Sequence, residues 1–373
     1  MVSVDNLGTQ VKIVSKASLT EIMSCPRWRI STNIEMLNKA TTSIPRDTLG
    51  RTLRDLRISL TDQCNLRCGY CMPSDAFGPD YAFLPEEEIL TFEEIRKVVV
   101  AFVSCGGKKV RLTGGEPLLR PNLPDLVRDL ATVGGVEEVA LTPNGLLLPG
   151  CAANLKRAGL DRVTLSLDAL DDMTFRKLSG REVPVQKVLD GILSAEKAGL
   201  SIKVNAVIIR GINDDQILPL ADYFRGTPHI LRFIEFMDVG NCNRWSRDEV
   251  YSAKEILADV RTHHKVEPLD ANYVGEVARR YRYCDGKGEF GIVASVTQPF
   301  CQDCNRARLS ADGKLFTCLF ACASVDLREI LRSGGDVSAF LKGVWQQRSD
   351  RYSCLLYTSD AADERSSVDL GGR

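Results

Sequence analysis

Histidine is scarce in this sequence, long apolar runs are missing, and neither sign of charge is in excess. Three histidines occur among 373 residues, at His229, His263 and His264. None has an obvious partner in the sequence, and the adjacent pair in "RTHHKVE" reads as a solvated loop. Chemistry built on a histidine base is therefore not expected. The strongest apolar run, "VVVAFVS" at 98–104, is far too short to cross a bilayer, so a soluble chain with no membrane partner is expected. Lys and Arg number 48 against 49 Asp and Glu, a net charge of −1. Such a chain has no global basic field for a nucleic acid, and an anionic ligand must be met by local arginines. No G-x-G-x-x-G follows the first strand-like run, which argues against a dinucleotide fold.

Cysteine is abundant, at 13 residues, and the count is odd. Without a secretory apolar segment, this reads poorly as a disulfide framework. Six cysteines form two clusters, Cys64/Cys68/Cys71 and Cys301/Cys304/Cys318. The other seven (Cys25, Cys105, Cys151, Cys242, Cys284, Cys322 and Cys354) are scattered and read mostly as small buried hydrophobes.

From residue 54 onward, apolar β-branched runs alternate with segments of helical period. The strand-like runs are 56–60, 109–115, 138–145, 162–170, 202–209 and 230–237; helical segments include 92–104, 124–133, 151–159, 185–199 and 215–225. This alternation implies parallel strands with right-handed crossovers. The expected fold is α/β, a curved six-stranded partial (βα)6 barrel of the TIM type. In such barrels the chemistry sits at the carboxyl ends of the strands. The unusual residues collect there: the first thiols after strand one, "GGEP" (Gly114–Pro117) after strand two, "TPNG" (Thr142–Gly145) after strand three, then Ser166 and Asp168, Lys203 and Asn205, and Met237.

Three thiols spaced C-x₃-C-x₂-C leave one iron of a four-iron cluster without a protein ligand. An open coordination position suits catalysis and not a closed structural site. The glycine pair of "GGEP" would let backbone approach a chelating ligand, and Glu116 would accept from its ammonium. The second cluster reads C-x₂-C-x₁₃-C, with Asp312-Gly313 signalling a hairpin that folds Cys318 back towards the first pair. Cys322 lies four residues beyond Cys318, so a four-thiol zinc ribbon stays open on spacing alone. Arg306 and Arg308, two apart and on one strand face, favour a phosphate-bearing ligand instead.

C-x₃-C-x₂-C after the first strand, with Tyr70 before the last cysteine and GGEP after the second strand, resembles the radical S-adenosylmethionine superfamily. With "RLTGGEPLLR", "LTPNG", "SLDAL", "GINDDQI", "RFIEFMDVGN" and "CNRARLSADGKLFTCLF", the stretch from about Leu53 to Tyr352 resembles the GTP 3′,8-cyclase family of molybdenum-cofactor biosynthesis. That resemblance implies two [4Fe–4S] clusters, one on Cys64, Cys68 and Cys71 and one on Cys301, Cys304 and Cys318. S-adenosylmethionine contacts fall on Tyr70, Gly115, Ser166 and Met237, and GTP contacts on Arg57, Arg111, Thr142, Lys203, Arg306, Ala307 and Arg308. It further implies a radical lyase: one electron cleaves S-adenosylmethionine, the resulting deoxyadenosyl radical takes the ribose 3′ hydrogen, and the carbon radical closes on guanine C8. An electron donor, a homodimer and delivery of the product to cyclic pyranopterin monophosphate synthase belong to the same expectation. A peptide-modifying radical enzyme with an auxiliary cluster is the alternative.

The implied layout is a leader at 1–50, a barrel core at 51–270, a C-terminal extension carrying the second cluster at 271–352, and an atypical tail at 353–373. The leader carries six Lys/Arg and four Asp/Glu and reads as disordered or as a mitochondrial transit peptide, with the matrix as destination; the cytoplasm is the other location. The tail, "CLLYTSDAADE" onward, has neither period and resembles translated adaptor sequence.

Overall fold

The structure, a computed structural model, describes residues 44–238, 245–321, 323–351 and Cys354. Six parallel strands carry it: β1 (Asp55–Ser59), β2 (Lys109–Thr113), β3 (Glu138–Leu141), β4 (Arg162–Ser166), β5 (Ser201–Ile208) and β6 (Ile230–Glu235). They lie side by side in chain order, as the alternation predicts. The crossovers use α1 (Phe92–Ser104), α2 (Leu123–Ala131), α3 (Ala152–Arg157), α4 (Asp172–Ser179), α5 (Gln186–Lys197) and α6 (Ile217–Phe224). Helix α1 starts on a capping box, Thr91 with Glu94, which satisfies two amide donors the first turn leaves orphaned. Helix α4 has no counterpart in the sequence reading; Asp171 caps its start and Gly180, at φ 63°, ends it.

The sheet does not stop at six strands. It continues through β7 (Val266–Leu269), β8 (Arg279–Tyr283), β9 (Glu289–Val293), β10 (Arg306–Leu309), β11 (Lys314–Phe316) and β12 (Val325–Asp326), in the spatial order β12-β11-β10-β1-β2-β3-β4-β5-β6-β9-β8-β7. Thus the extension after residue 270 augments both edges of the barrel sheet, β10 running parallel to β1 and β9 parallel to β6. The two outermost strands do not pair with each other, so the barrel is partial. Helices α7 (Ala253–His263), α8 (Leu327–Arg332) and α9 (Val337–Gln347) complete the described elements.

Side chains alternate along each strand. On β1, Leu56 and Ile58 are buried in one core with Val98 and Phe102 of α1, while Asp55, Arg57 and Ser59 face the other way. The same alternation turns Lys109, Arg111 and Thr113 of β2, and Arg306 and Arg308 of β10, away from that core. The histidines differ from expectation. His263 ends α7, and His264 is mostly buried, bonded to Asp222 at 2.6 Å and set edge-on to Tyr283; His229 is buried 3.8 Å from Glu196. The pair is a helix terminus packed on β8, where the sequence alone reads as a loop.

Candidate functional site

The first thiols occupy the loop that leaves β1. Cys68 accepts at its carbonyl from the amides of Cys71 and Met72, a tight turn that sets Cys68 and Cys71 on one curve. Arg67 pins this loop, donating to the carbonyls of Cys64 and Phe77 at 2.7 and 2.9 Å. The unforeseen α4 is its anvil: Arg67 and Gly69 amides donate to Ser179 and Leu178 carbonyls, and a Cβ on Gly180 would sit 2.2 Å from the Arg67 carbonyl. Burial pushes the Cys64, Cys68 and Cys71 thiols up, Cys71 to about 11. A coordinated metal reverses that preference by binding the thiolate.

Beside the loop lies GGEP, where the structure shows a packing role for the glycine pair. A Cβ on Gly115 would lie 2.1 Å from the Gln63 carbonyl, so the close approach is to the chain leading into Cys64. Glu116 is fully buried; its carboxylate accepts from the amides of Leu118 at 3.0 Å and Asn144 at 2.7 Å, which ties β2 to "TPNG". Burial raises it to about 7. Tyr70 donates to Asp168 at 2.6 Å, joining the thiol loop to the end of β4.

Below this rim is a cavity of about 480 Å³, whose wall includes Arg57, Arg111, Arg232, Arg306 and Arg308 together with Cys301, Cys304 and Cys318. That volume suits a nucleotide-sized ligand. Parallel register explains the clustering. Arg308, Arg57 and Arg111 are direct neighbours across β10, β1 and β2, one row of three guanidinium-bearing residues. Adjacent strands are about 4.8 Å apart, and like charges so placed repel. Burial, then Arg111 and Arg308, pull the Arg57 pKa well down; burial and Arg306 bring Arg308 to about 10; burial, Arg111 and Arg162 bring Arg232 to about 9. Asp55 is the acid in their midst. Burial alone would raise it, but Arg111, Arg57, Arg306 and Arg308 hold it below its ordinary value. Among the described residues, Nε of Arg57, Arg111 and Arg232, the Thr142 hydroxyl and the Asn205 carbonyl oxygen are buried with no hydrogen-bond partner. The guanidinium N–H groups and the Thr142 hydroxyl are donors that an anion could satisfy, whereas the Asn205 oxygen can only accept.

The second thiols close the cavity's side. The hairpin forms as predicted, β10 antiparallel to β11, with Gly313 at φ 83° in the turn. Cys304 receives hydrogen bonds from Arg306 and Arg348 guanidiniums at 3.3 Å each. Burial would raise its thiol, yet Arg306 and Arg348 draw it down to about 6. Cys301 is raised to about 11 by burial and hydrogen-bonds Cys354. Each set is a group of neighbouring thiols, but among the described residues no three His, Cys, Asp or Glu converge tightly enough for a single ion. A tetrahedral zinc would need its sulfurs about 2.3 Å from one point. By its chemistry each set, three soft thiol donors, suits an iron–sulfur cluster.

Of the residues singled out from sequence, the cavity wall brings together Arg57, Arg111, Thr142, Met237, Arg306 and Arg308 with the second thiols. Ser166 lies in register with Asn205 of β5, itself beside Arg232 of β6, so that row runs along the wall. Lys203, two residues before Asn205 on the same face of β5, is not among the residues lining the cavity. Ala307 turns its side chain into the core with Leu53, Leu56 and Trp345, so only its backbone can meet a ligand. Cys322 lies outside the described residues. Arg232 and Arg348 were not found from sequence. A guanidinium inside the apolar run "ILRFIEFM" was the available signal for the first; the second has none.

Residues 58–224 match the Radical SAM superfamily, and residues 229–354 match Molybdenum Cofactor Synthesis C. Among curated relatives, the GTP 3′,8-cyclase of Acidothermus cellulolyticus is 52% identical over 341 residues, 88% of this chain and 94% of that one. The GTP 3′,8-cyclase of Xanthomonas axonopodis pv. citri is 51% identical over 83% of this chain and 92% of its own. That of Staphylococcus epidermidis is 46% identical over the same shares. Among solved structures, Streptococcus suis SuiB bound to S-adenosylmethionine superposes with a TM-score of 0.57 at 15% identity, over 81% of this chain and 70% of that one. Native anSMEcpe with bound AdoMet gives 0.50 at 15% identity, over 76% and 81%. At such identity these two speak for the fold alone. Sequence identity above one half across most of both chains, on a sheet of the expected order, settles the family: the chain belongs to the GTP 3′,8-cyclases of the radical S-adenosylmethionine superfamily.

Proposed function

We propose that this chain converts GTP to its 3′,8-cyclised dihydro form, the opening step of molybdenum-cofactor assembly. The observation that carries it is the buried arginine row with unpaired N–H groups, facing the cavity that the second thiols border. Cys64, Cys68 and Cys71 would hold one [4Fe–4S] cluster, and Cys301, Cys304 and Cys318 the other, each with one iron left open. When bound, the first cluster and S-adenosylmethionine supply one-electron, hydrogen-abstracting chemistry. Tyr70, Gly115, Ser166 and Met237 would position the methionine derivative at the rim. Arg57, Arg111, Arg308 and Arg306 would neutralise the triphosphate, with Arg232 completing the cationic wall, Lys203 adding its charge from beyond that wall, and Thr142 donating or accepting through its hydroxyl. The protein's part is registration: it holds ribose, base and radical source in a fixed order and keeps other hydrogen donors out. A peptide-modifying enzyme would have no use for this row, which favours the nucleotide.

Family resemblance extends the reading to a homodimer, to an electron donor, and to cyclic pyranopterin monophosphate synthase as the recipient of the product. A mitochondrial address rests on the leader's composition alone; the relatives named above are bacterial, and residues 1–43 lie outside the described residues. No helix among the described residues is long and apolar enough to cross a membrane.

Two measurements test parts of this. Anaerobically reconstituted Cys318→Ser should lose about half the iron of the parent, whereas Cys322→Ser and Cys354→Ser should lose none. Equal losses would make one of the latter a fourth ligand and leave no iron open for the guanine. The second measurement is a pH profile. Burial first, then Arg232 and Arg162, depress Lys203 to about 8. It is charged below that pH and neutral above, so GTP affinity should fall as pH rises through 8, by about tenfold per unit. Lys203→Arg, charged throughout, should flatten this part of the profile. A parent profile as flat as the variant's would remove Lys203 from the binding site.

A further inference from the structure

Arg348 is among the most deeply buried side chains in the molecule, with 2% of its surface exposed, and no part of the substrate account requires its burial. It follows α9 directly, and it joins its local neighbours Trp345 and Asp350 to two distant parts of the chain, Asp47 and Cys304. Its Nη1 donates to the Cys304 carbonyl at 2.7 Å and to Asp47 Oδ2 at 3.3 Å; its Nη2 donates to Cys304 Sγ at 3.3 Å. Its Nε lies 3.4 Å from Asp350 Oδ2, and its guanidinium stacks over Trp345, 4.5 Å from the ring centre. Asp47 is shared: Arg51 Nε donates to the same oxygen at 2.5 Å, and Arg51 Nη1 donates to the Cys301 carbonyl at 2.6 Å.

Two arginines and two aspartates thus form a closed, nearly neutral set around the Cys301–Cys304 turn. Three of its hydrogen bonds reach that turn: Arg51 Nη1 to the Cys301 carbonyl, Arg348 Nη1 to the Cys304 carbonyl and Arg348 Nη2 to the Cys304 sulfur. A scaffold that only held the turn would be served by the two carbonyl contacts, from Arg51 to Cys301 and from Arg348 to Cys304. Hydrogen bonds to ligand sulfurs stabilise the more negative, reduced state of an iron–sulfur cluster and raise its potential. We propose that Arg348 is a positioning residue that sets the reduction potential of the second cluster through its hydrogen bond to Cys304, with Asp47 and Asp350 fixing the guanidinium. This rests on the reading that Cys301, Cys304 and Cys318 hold a cluster. Arg306 also reaches Cys304, and both arginines border the cavity, but Arg348 is held by Asp47, Asp350 and the Cys304 carbonyl, so protein groups alone fix its geometry.

The test is a redox titration of the full chain, reconstituted anaerobically, with dithionite as the electron source and the two clusters followed by electron paramagnetic resonance. The first cluster is the internal reference. Arg348→Gln should keep both clusters and shift the second cluster's equilibrium about tenfold towards the oxidised state, or 59 mV downward for a one-electron couple. Arg348→Lys, which keeps the charge but loses the fork, should shift it the same way by less. Asp47→Asn removes a negative charge but loosens one of the two carboxylate holds on the guanidinium, so the potential should rise or should fall by clearly less than in Arg348→Gln. An unchanged second cluster in Arg348→Gln overturns the proposal, as does an equal fall in Asp47→Asn or a parallel shift of both clusters. If Arg348→Gln loses the second cluster, Arg348→Lys decides. Loss of the cluster there too would make Arg348 a scaffold and overturn the proposal. Failure of the underlying reading looks different, because the unaltered protein would then show only one cluster.

Discussion

Cys68→Ser, reconstituted anaerobically, is expected to release no 5′-deoxyadenosine from S-adenosylmethionine and to keep about four irons where the parent binds about eight. The loop explains why the effect should be total. Cys68 is the middle thiol, and its carbonyl accepts the two amide bonds that turn the chain towards Cys71. Serine preserves that turn, so the loss isolates the ligand atom. With two thiols left, no other described cysteine of this loop can serve as a third corner. The second set sits on a separate turn next to β10 and should be unaffected. Cleavage retained by Cys68→Ser would mean that these thiols do not hold the reactive cluster.

Arg308→Ala should weaken GTP binding about 10- to 150-fold, since a charge-assisted hydrogen bond is worth about 1.5–3 kcal/mol and each 1.4 kcal/mol is tenfold. Arg306→Ala should act in the same range. Arg308 stands in register with Arg57, and Arg57 with Arg111, so the lost charge comes from the end of a continuous row. Removing one member also relieves repulsion within the row, which is why a loss of folding is not expected. Guanosine is the control. It should bind the parent far more weakly than GTP and lose little further affinity in either variant. If guanosine binding collapses in step with GTP binding, the arginines support the fold, and the triphosphate is held elsewhere.

Most of what these two experiments depend on was legible in the chain itself. Strand alternation marked the six barrel strands and their order, because a half-polar parallel strand keeps its period even when its polar face points into a cavity. Arg306 and Arg308 were legible for the same reason: two apart on a strand means one face, and the structure has both on the cavity wall. What escaped was of three kinds. Helix α4 is only eight residues long, too short for a helical period to stand out between the strand before it and the helix after it. Strands β7 to β9 are short and β8, "RRYRY", carries three arginines, although Asp285-Gly286 between β8 and β9 was a usable turn signal. The network of Asp47, Arg51 and Arg348 joins residues some 300 positions apart, and no local pattern encodes such a meeting. Arg232 falls between these cases. Its charge inside an apolar strand was visible, but only register with Asn205 shows that it faces the same cavity as Arg57.

The glycines of "GGEP" carry a separate lesson. Sequence logic assigned them to ligand approach; the structure adds that Gly115 makes room for the Gln63 carbonyl and that Glu116 bonds the backbone of two neighbouring loops. A motif at an active rim can be needed for how loops abut as well as for what they touch. Glu116→Gln should accordingly disturb the loops around Cys64 and Asn144 as much as any bound amine, and loss of iron from the first cluster would report it.

One measurement bears on the central claim directly. The anaerobically reconstituted protein, reduced with dithionite and given S-adenosylmethionine, should be turned over with GTP carrying deuterium at the ribose 3′ carbon. The account predicts 5′-deoxyadenosine containing one deuterium per molecule, formed together with a 3′,8-cyclised triphosphate. Deoxyadenosine free of deuterium, or formed equally well without GTP, would contradict it.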